Sequence, residues 1–131
     1  MIPPKIVIHT DVLLDYVIHR GKNPHFLRRV MELSFCYTTV FNAVELFSVA
    51  RTPQEINAVE NAMHAMKILG LNAKNAKRYG ALLSRKVKLP RMNALIAGLC
   101  LESKLPVLTG SPKEFRGVEG LVIVRPEEYE K

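Results

Sequence analysis

The stretch from Lys5 to Val17, KIVIHTDVLLDYV, constrains the rest of the chain more than any other. Its first half, Ile6-Val7-Ile8, is a short unbroken apolar run. A strand of that kind is covered on both faces, as in the middle of a parallel sheet. Its second half, Val12-Leu13-Leu14 with Tyr16-Val17, has the spacing of an amphipathic helix. His9, Thr10 and Asp11 stand between the two. In an open α/β sheet, ligands bind beyond the carboxyl ends of the strands, so this polar triplet lies where chemistry would be done. A second reading stays open beside it: Thr10 or Asp11 caps the helix.

The same grammar repeats along the chain. Arg20-Gly21-Lys22 reads as a turn, and Asn23-Pro24 as the start of a second helix with Phe26, Leu27, Val30, Met31 and Leu33 on its apolar face. Phe35–Thr38 reads as a short strand. Thr38-Thr39 then caps a helix from Val40 to Ala50, whose apolar face is Val40, Phe41, Val44 and Phe47, with Leu46 beside them. Glu45 falls inside this helix. A carboxylate there is costly to bury unless it is paired or bound to a metal; otherwise it turns to solvent on the far face. Thr52-Pro53-Gln54-Glu55 is a capping box with proline at the first helical position. Ile56, Val59, Met63 and Met66 follow as a stripe that serves either the core or a protein contact. Gly70 should end this helix and Asn72 start the next, with Ala76, Tyr79, Gly80, Leu83 and Val87 inward. From Lys67 to Arg91 the chain is basic, which suits a solvated face or contact with phosphates. Met92–Leu101 is apolar nearly all round and therefore a buried helix, with Asn93 in its first turn. Pro106–Thr109 and Leu121–Val124 are the last strands. Between them Ser111 and Glu114 have capping-box spacing. The acidic tail from Glu127 to Glu130 reads as a solvated end.

Strands that alternate with helices imply an α/β fold, a central mainly parallel sheet flanked by α-helices. The 131 residues suit a single domain, 1–131. No apolar run is long enough to span a bilayer. The opening MIPPK lacks the apolar segment of a signal peptide, so a cytoplasmic protein with no membrane partner is expected. Cys36 and Cys100 lie in apolar surroundings and are expected to be reduced. The net charge of +7 permits nucleic-acid binding, although the basic residues are dispersed.

Four blocks, IVIHTDVLLDYV (6–17), TTVFNAVELFSVA (38–50), NALIAGLCLESKLPVLTGSPKEF (93–115) and GLVIVRP (120–126), resemble in order and spacing the PIN domain family, and within it the VapC-type toxin ribonucleases. The resemblance covers nearly the whole chain. It implies a cluster of carboxylates holding Mg²⁺ or Mn²⁺, because hard cations want anionic oxygens, and metal-assisted cleavage of RNA. The family places an Asp directly before the Thr of the first block, where this chain has His9. Its Glu in the second block is kept as Glu45. The Asp that opens the buried helix is here Asn93, and the Asp or Asn after the late strand is Ser111. Glu114 matches a nearby position that is often acidic.

By this resemblance Glu45, His9, Asn93 and Ser111 occupy the catalytic positions. Glu45, Asp11 and Glu114 are the metal candidates, and Thr10 and Thr109 the substrate contacts. Three of the four matched positions carry no carboxylate. Unit charges about 4 Å apart interact by roughly 4 kcal/mol at an effective dielectric near 20, so the depleted set should hold Mg²⁺ far more weakly. His9 suits softer ions such as Mn²⁺ or Zn²⁺. The expected function is that of a weakened or inactive PIN protein that binds RNA or protein. The alternative is an active Mg²⁺- or Mn²⁺-dependent endoribonuclease with the ligand set His9, Asp11, Glu45, Asn93 and Glu114. A third reading is a structural subunit whose pocket has no role. Cofactors are Mg²⁺ or Mn²⁺ if the site is active, and none otherwise. The partners implied are RNA, an antitoxin-like protein and a second copy in a homodimer, for which the Ile56–Met66 stripe with Phe41, Phe47 and Val49 offers a surface.

Overall fold

The computed structural model describes residues 2–18, 25–84 and 89–130. The turn expected at 20–22, the helix start at 23–24 and Val87 lie outside the described residues. The first strand, β1 (Lys5–Ile8), is followed by α1 (Thr10–Val17), α2 (Phe26–Leu33), β2 (Phe35–Thr39), α3 (Val40–Val49) and α4 (Pro53–Ala65). Then come β3 (Lys67–Leu69), α5 (Ala76–Ser84), α6 (Arg91–Ser103), β4 (Val107–Leu108) and β5 (Ile123–Val124), with single 3₁₀ turns between and after them.

All strand pairings are parallel, in the order β3-β2-β1-β4-β5. Val7 sits in register with Tyr37 on one side and Val107 on the other, so β1 is central, and Ile6, Val7 and Ile8 are fully buried. Successive side chains of a strand point to opposite faces, and β1 divides its residues accordingly. Ile6 and Ile8 join Leu13, Val17, Val30, Leu46 and Val59 in one core. Val7 joins Ile96, Ala97, Cys100, Val107 and Phe115 in the other. The topology reverses between β1 and β4: the chain builds outward from β1 to β2 and β3, then returns to the other side. Such a switch point opens a crevice beyond the strand ends.

The α/β fold with a parallel sheet is as expected, while several local expectations are corrected. Met66 leaves the α4 helix, and Lys67–Leu69 form the edge strand β3 where helix was expected to run to Gly70. Pairing with β2 claims this segment although its residues are exposed or only partly buried. On α3 the apolar face is nearly inverted. Leu46 is buried, whereas Val40, Val44, Phe47 and Val49 are exposed, because the helix turns the polar Asn42 inward with Leu46. On α4, Val59 is fully buried, Met63 packs against the same core and Ile56 is exposed, while Met66, just past the helix, is nearly fully buried. The methionine stripe therefore belongs mostly to the monomer core. Leu33 on α2 is also exposed, as are Ala76 and Gly80 on α5, where Tyr79 is the buried one among the described residues of the expected inner face.

The acidic tail is not a solvated end. Pro126–Tyr129 form a 3₁₀ turn that buries the Tyr129 ring completely. Its hydroxyl hydrogen-bonds Ser34 Oγ at 2.6 Å, and Ser34 Oγ donates to the carbonyl of Pro3, also at 2.6 Å. Arg29 Nε donates to the Tyr129 carbonyl.

Candidate functional site

His9 is the N-cap residue of α1 and makes no side-chain cap hydrogen bond. Its backbone N–H donates to the Leu108 carbonyl at 3.0 Å, which fixes it at the end of β1 beside β4. Thr10 and Asp11 are the first residues inside the helix, so neither caps it, and the capping reading of this triplet is overturned. Their side chains reach across to other elements. The Thr10 hydroxyl donates to Glu45 Oε1 at 2.5 Å, which brings Glu45 to the site rather than to solvent. Asp11 Oδ2 accepts from Thr109 Oγ1 and from the Gly110 N–H, each at 2.9 Å. This carboxylate thus ties the end of β1 to the end of β4 across the switch point. Its other oxygen, Oδ1, is buried without a hydrogen-bond partner.

Asn42, which sequence reasoning passed over, is the hub of the cluster and fully buried. Its Oδ1 accepts from the Thr39 N–H at 3.1 Å and from Thr39 Oγ1 at 2.6 Å. A backbone N–H only donates, so this contact fixes which end of the amide is oxygen. Nδ2 then donates to Thr10 Oγ1 at 2.8 Å and faces His9 Nδ1 at 3.3 Å. For the latter to be a hydrogen bond, Nδ1 must accept, and the ring proton sits on Nε2. That nitrogen lies 3.9 Å from Glu114 Oε2. Burial lowers the His9 pKa against the opposing pull of Asp11, Glu45 and Glu114, so the imidazole is neutral near pH 7. Its ring is set edge-on to Phe115, with centroids 4.9 Å apart.

Glu114 also accepts from Asn93 Nδ2 at 3.2 Å. Asn93 is buried in the first turn of α6. The Ser111–Glu114 capping box is overturned as well. Ser111 precedes the 3₁₀ turn Pro112–Phe115 without a side-chain cap, and the Glu114 carboxylate points to Asn93 and His9 instead. Ser111 contributes its N–H to Thr109 Oγ1 at 3.0 Å. A cleft of about 310 Å³ opens beside Asp11, with Tyr16, Phe26, Ser111 and Pro126 among its lining residues.

One hydrogen-bonded chain therefore runs Thr39–Asn42–Thr10–Glu45, with His9 reached from Asn42. Two neighbouring links, Asn93–Glu114 and Asp11–Thr109, flank it. The signal that would have exposed Asn42 was in the sequence. Thr39-x-x-Asn42 has capping-box spacing, and the box is formed.

As placed, these side chains do not converge into a ready site for a hard divalent cation. Such an ion needs several anionic oxygens converging on it. Here one oxygen each of Glu45, Glu114 and Asp11 is already engaged by a hydroxyl or amide donor. Among the described residues, no group of three or more His, Cys, Asp or Glu side chains is placed to hold a metal ion.

No family model matches the sequence, and no curated protein does. Solved structures do. The VapBC structure from Salmonella typhimurium bound to DNA aligns with a TM-score of 0.78 at 19% identity, over 95% of this chain and 99% of that one. VapC-like PIN architecture is the fold of this chain. VapBC2 from Rickettsia felis, bound to a promoter DNA fragment, gives 0.76 at 17% identity over 92% and 98% of the two chains. VapBC-1 from nontypeable Haemophilus influenzae gives 0.74 at 18%, over 94% and 98%. The PIN fold accounts for the parallel sheet order and for the convergence of β1, α3, α6 and the loop after β4 at one crevice. Among the described residues, no helix is long and apolar enough to cross a membrane.

Proposed function

We propose that this chain is a VapC-like PIN protein that acts by binding an antitoxin-like protein, with metal-dependent cleavage of RNA weak or absent. The observation that carries the proposal is His9. By the resemblance it stands where the family has its first carboxylate; it is 3% exposed, and its ring is neutral and hydrogen-bonded to an amide. A buried neutral imidazole contributes no charge toward polarising a phosphodiester. Asn93 and Ser111 withhold two more carboxylates at the same crevice. The partner class follows from the VapBC complexes whose fold this chain shares.

The test is cleavage of single-stranded RNA with Mg²⁺ or Mn²⁺, with and without chelator, beside a Glu45→Ala variant. Turnover no faster than the variant is expected. Rapid chelator-sensitive cleavage that disappears in Glu45→Ala would replace this reading with the active endoribonuclease bearing the set His9, Asp11, Glu45, Asn93 and Glu114. One observation favours that second reading: the partnerless Oδ1 of Asp11 is an anionic oxygen in search of a ligand.

A homodimer belongs to the same proposal. Val40, Val44 and Phe47, spaced four and three residues apart, share one side of α3 and are exposed. An exposed apolar strip of this kind marks an interaction site, and a two-fold pair would bury it isologously. Light scattering should give twice the monomer mass for the wild type and the monomer mass for Val44→Glu with Phe47→Lys. A monomeric wild type would remove the dimer from the proposal.

A further inference from the structure

We infer that Asn42 holds the His9, Thr10 and Thr39 part of the crevice together, and through the Thr10 hydroxyl fixes Glu45, so that this part of the site keeps its arrangement without a metal. The inference rests on the reading of the site as depleted of nuclease chemistry and adds what took the metal's place.

Three carboxylates, Asp11, Glu45 and Glu114, come to one crevice from three parts of the chain. Carboxylates so gathered repel one another unless positive charge or hydrogen-bond donors offset them. Each is answered by neutral donors. Thr10 donates to Glu45, Asn93 to Glu114, and Thr109 with the Gly110 N–H to Asp11. Thr10 has a single hydroxyl proton, and it goes to Glu45, so its oxygen is left to accept. Asn42 Nδ2 supplies that bond at 2.8 Å and with the same amino group faces the acceptor nitrogen of His9. The other end of the amide takes both donors of Thr39. Asn42 thus uses both ends of its amide while fully buried. No other standard side chain of that size has two donors and an oxygen acceptor. Aspartate would bring a fourth carboxylate, and leucine would leave Thr10, Thr39 and His9 unanswered.

The experiment is thermal unfolding with either chelator or Mn²⁺ at millimolar concentration, followed by titration calorimetry with Mn²⁺. Wild type is expected to keep one melting temperature in both solutions, within about a degree, with no heat of binding that depends on Glu45. Asn42→Ala strands several buried polar groups without partners. It should lower the melting temperature by about 5 °C or more, in either solution alike. His9→Asp with Asn93→Asp and Ser111→Asp restores the carboxylates, and it should melt higher in Mn²⁺ than in chelator. Should Asn42→Ala fail to fold, the wild-type comparison still decides. A wild-type rise of several degrees with Mn²⁺, lost in Glu45→Ala or Asp11→Asn, overturns the inference. So does an Asn42→Ala protein that melts with the wild type. A chain that gains stability from Mn²⁺ yet cleaves no RNA defeats this inference alone and leaves the proposed function standing.

Discussion

Replacing Gly98 by alanine tests how α6 is seated, and with it the position of Asn93. Gly98 is buried in the middle of α6. A Cβ built there would lie 2.4 Å from Tyr79 Cε1, 2.8 Å from Tyr79 Cδ1 and 2.9 Å from Leu82 Cδ1. The leucine methyl can swing aside. The tyrosine ring cannot easily do so, because it is 2% exposed and its hydroxyl is anchored to Glu102 Oε2 at 3.0 Å. Two effects oppose each other. Alanine favours the helix by roughly 0.5–1 kcal/mol over glycine, whereas overpacking a filled site costs about 1–3 kcal/mol. At 2.4 Å the steric term wins, and a net loss of about 1–2 kcal/mol is expected, or roughly 4–8 °C in melting temperature for a domain of this size. Denaturant titration of a double-mutant cycle with Tyr79→Leu decides whether the ring is the cause. In the Tyr79→Leu background, Gly98→Ala should become neutral or stabilising. A Gly98→Ala protein as stable as wild type, or one destabilised equally in both backgrounds, would refute the argument. A displaced α6 also carries Asn93 away from Glu114, so any partner binding that depends on the crevice should weaken along with stability.

Two further outcomes follow from buried groups. Burial lowers the His9 pKa in the folded state, so near its ordinary value of about 6.5 the unfolded chain binds more protons than the folded one. Stability is therefore fully present above that pH and is lost as the pH falls below it. Between about pH 7.5 and 5.5 the wild-type melting temperature should drop further than that of His9→Asn, and parallel profiles would refute the assignment. Tyr129→Ala empties a fully buried site and should cost about 3–5 kcal/mol, as large aromatic deletions do. Tyr129→Phe forfeits only the bond to Ser34, about 1 kcal/mol, and urea titration of both separates the ring from the hydroxyl.

The parts of this fold that were legible in the sequence are those where one physical rule acts alone. Ile6-Val7-Ile8 could only be a doubly covered strand. The Thr52-Pro53-Gln54-Glu55 start formed as read, with Thr52 and Glu55 bonding each other's backbone. The apolar Met92–Leu101 segment is buried nearly all round. Legibility failed where two rules competed. On α3 apolar residues occupy almost every side, so spacing could not say which side faces in, and the polar demand of Thr39, Thr10 and His9 decided in favour of Asn42. Lys67–Leu69 has neither length nor burial to mark it as a strand, and only β2 supplies the reason. Ser111 and Glu114 have the spacing of a cap, yet Asn93 and His9 draw the carboxylate elsewhere. The acidic tail hid Tyr129 among glutamates. At the site, the residues singled out in the sequence, His9, Asp11, Glu45, Asn93 and Glu114, come to one crevice, but the amide that joins Thr39, Thr10 and His9 is visible only once α3 is laid against α1.

Tyr129 has a consequence in time. A ribosome makes β1 and α2 early and residue 129 more than ninety residues later than Ser34. Until then the hydroxyl of Ser34 lacks its tyrosine, and the core beneath α2 lacks its largest fully buried side chain. Domains generally close as units when their chain is complete. Strand β4, which leads into Thr109 and Gly110 beside Asp11, and strand β5 are late arrivals too. A half-made chain would present β1 to β3 with no crevice at all. Any partner that recognises the finished crevice therefore meets it only after β4 and the turn bearing Glu114 have been made.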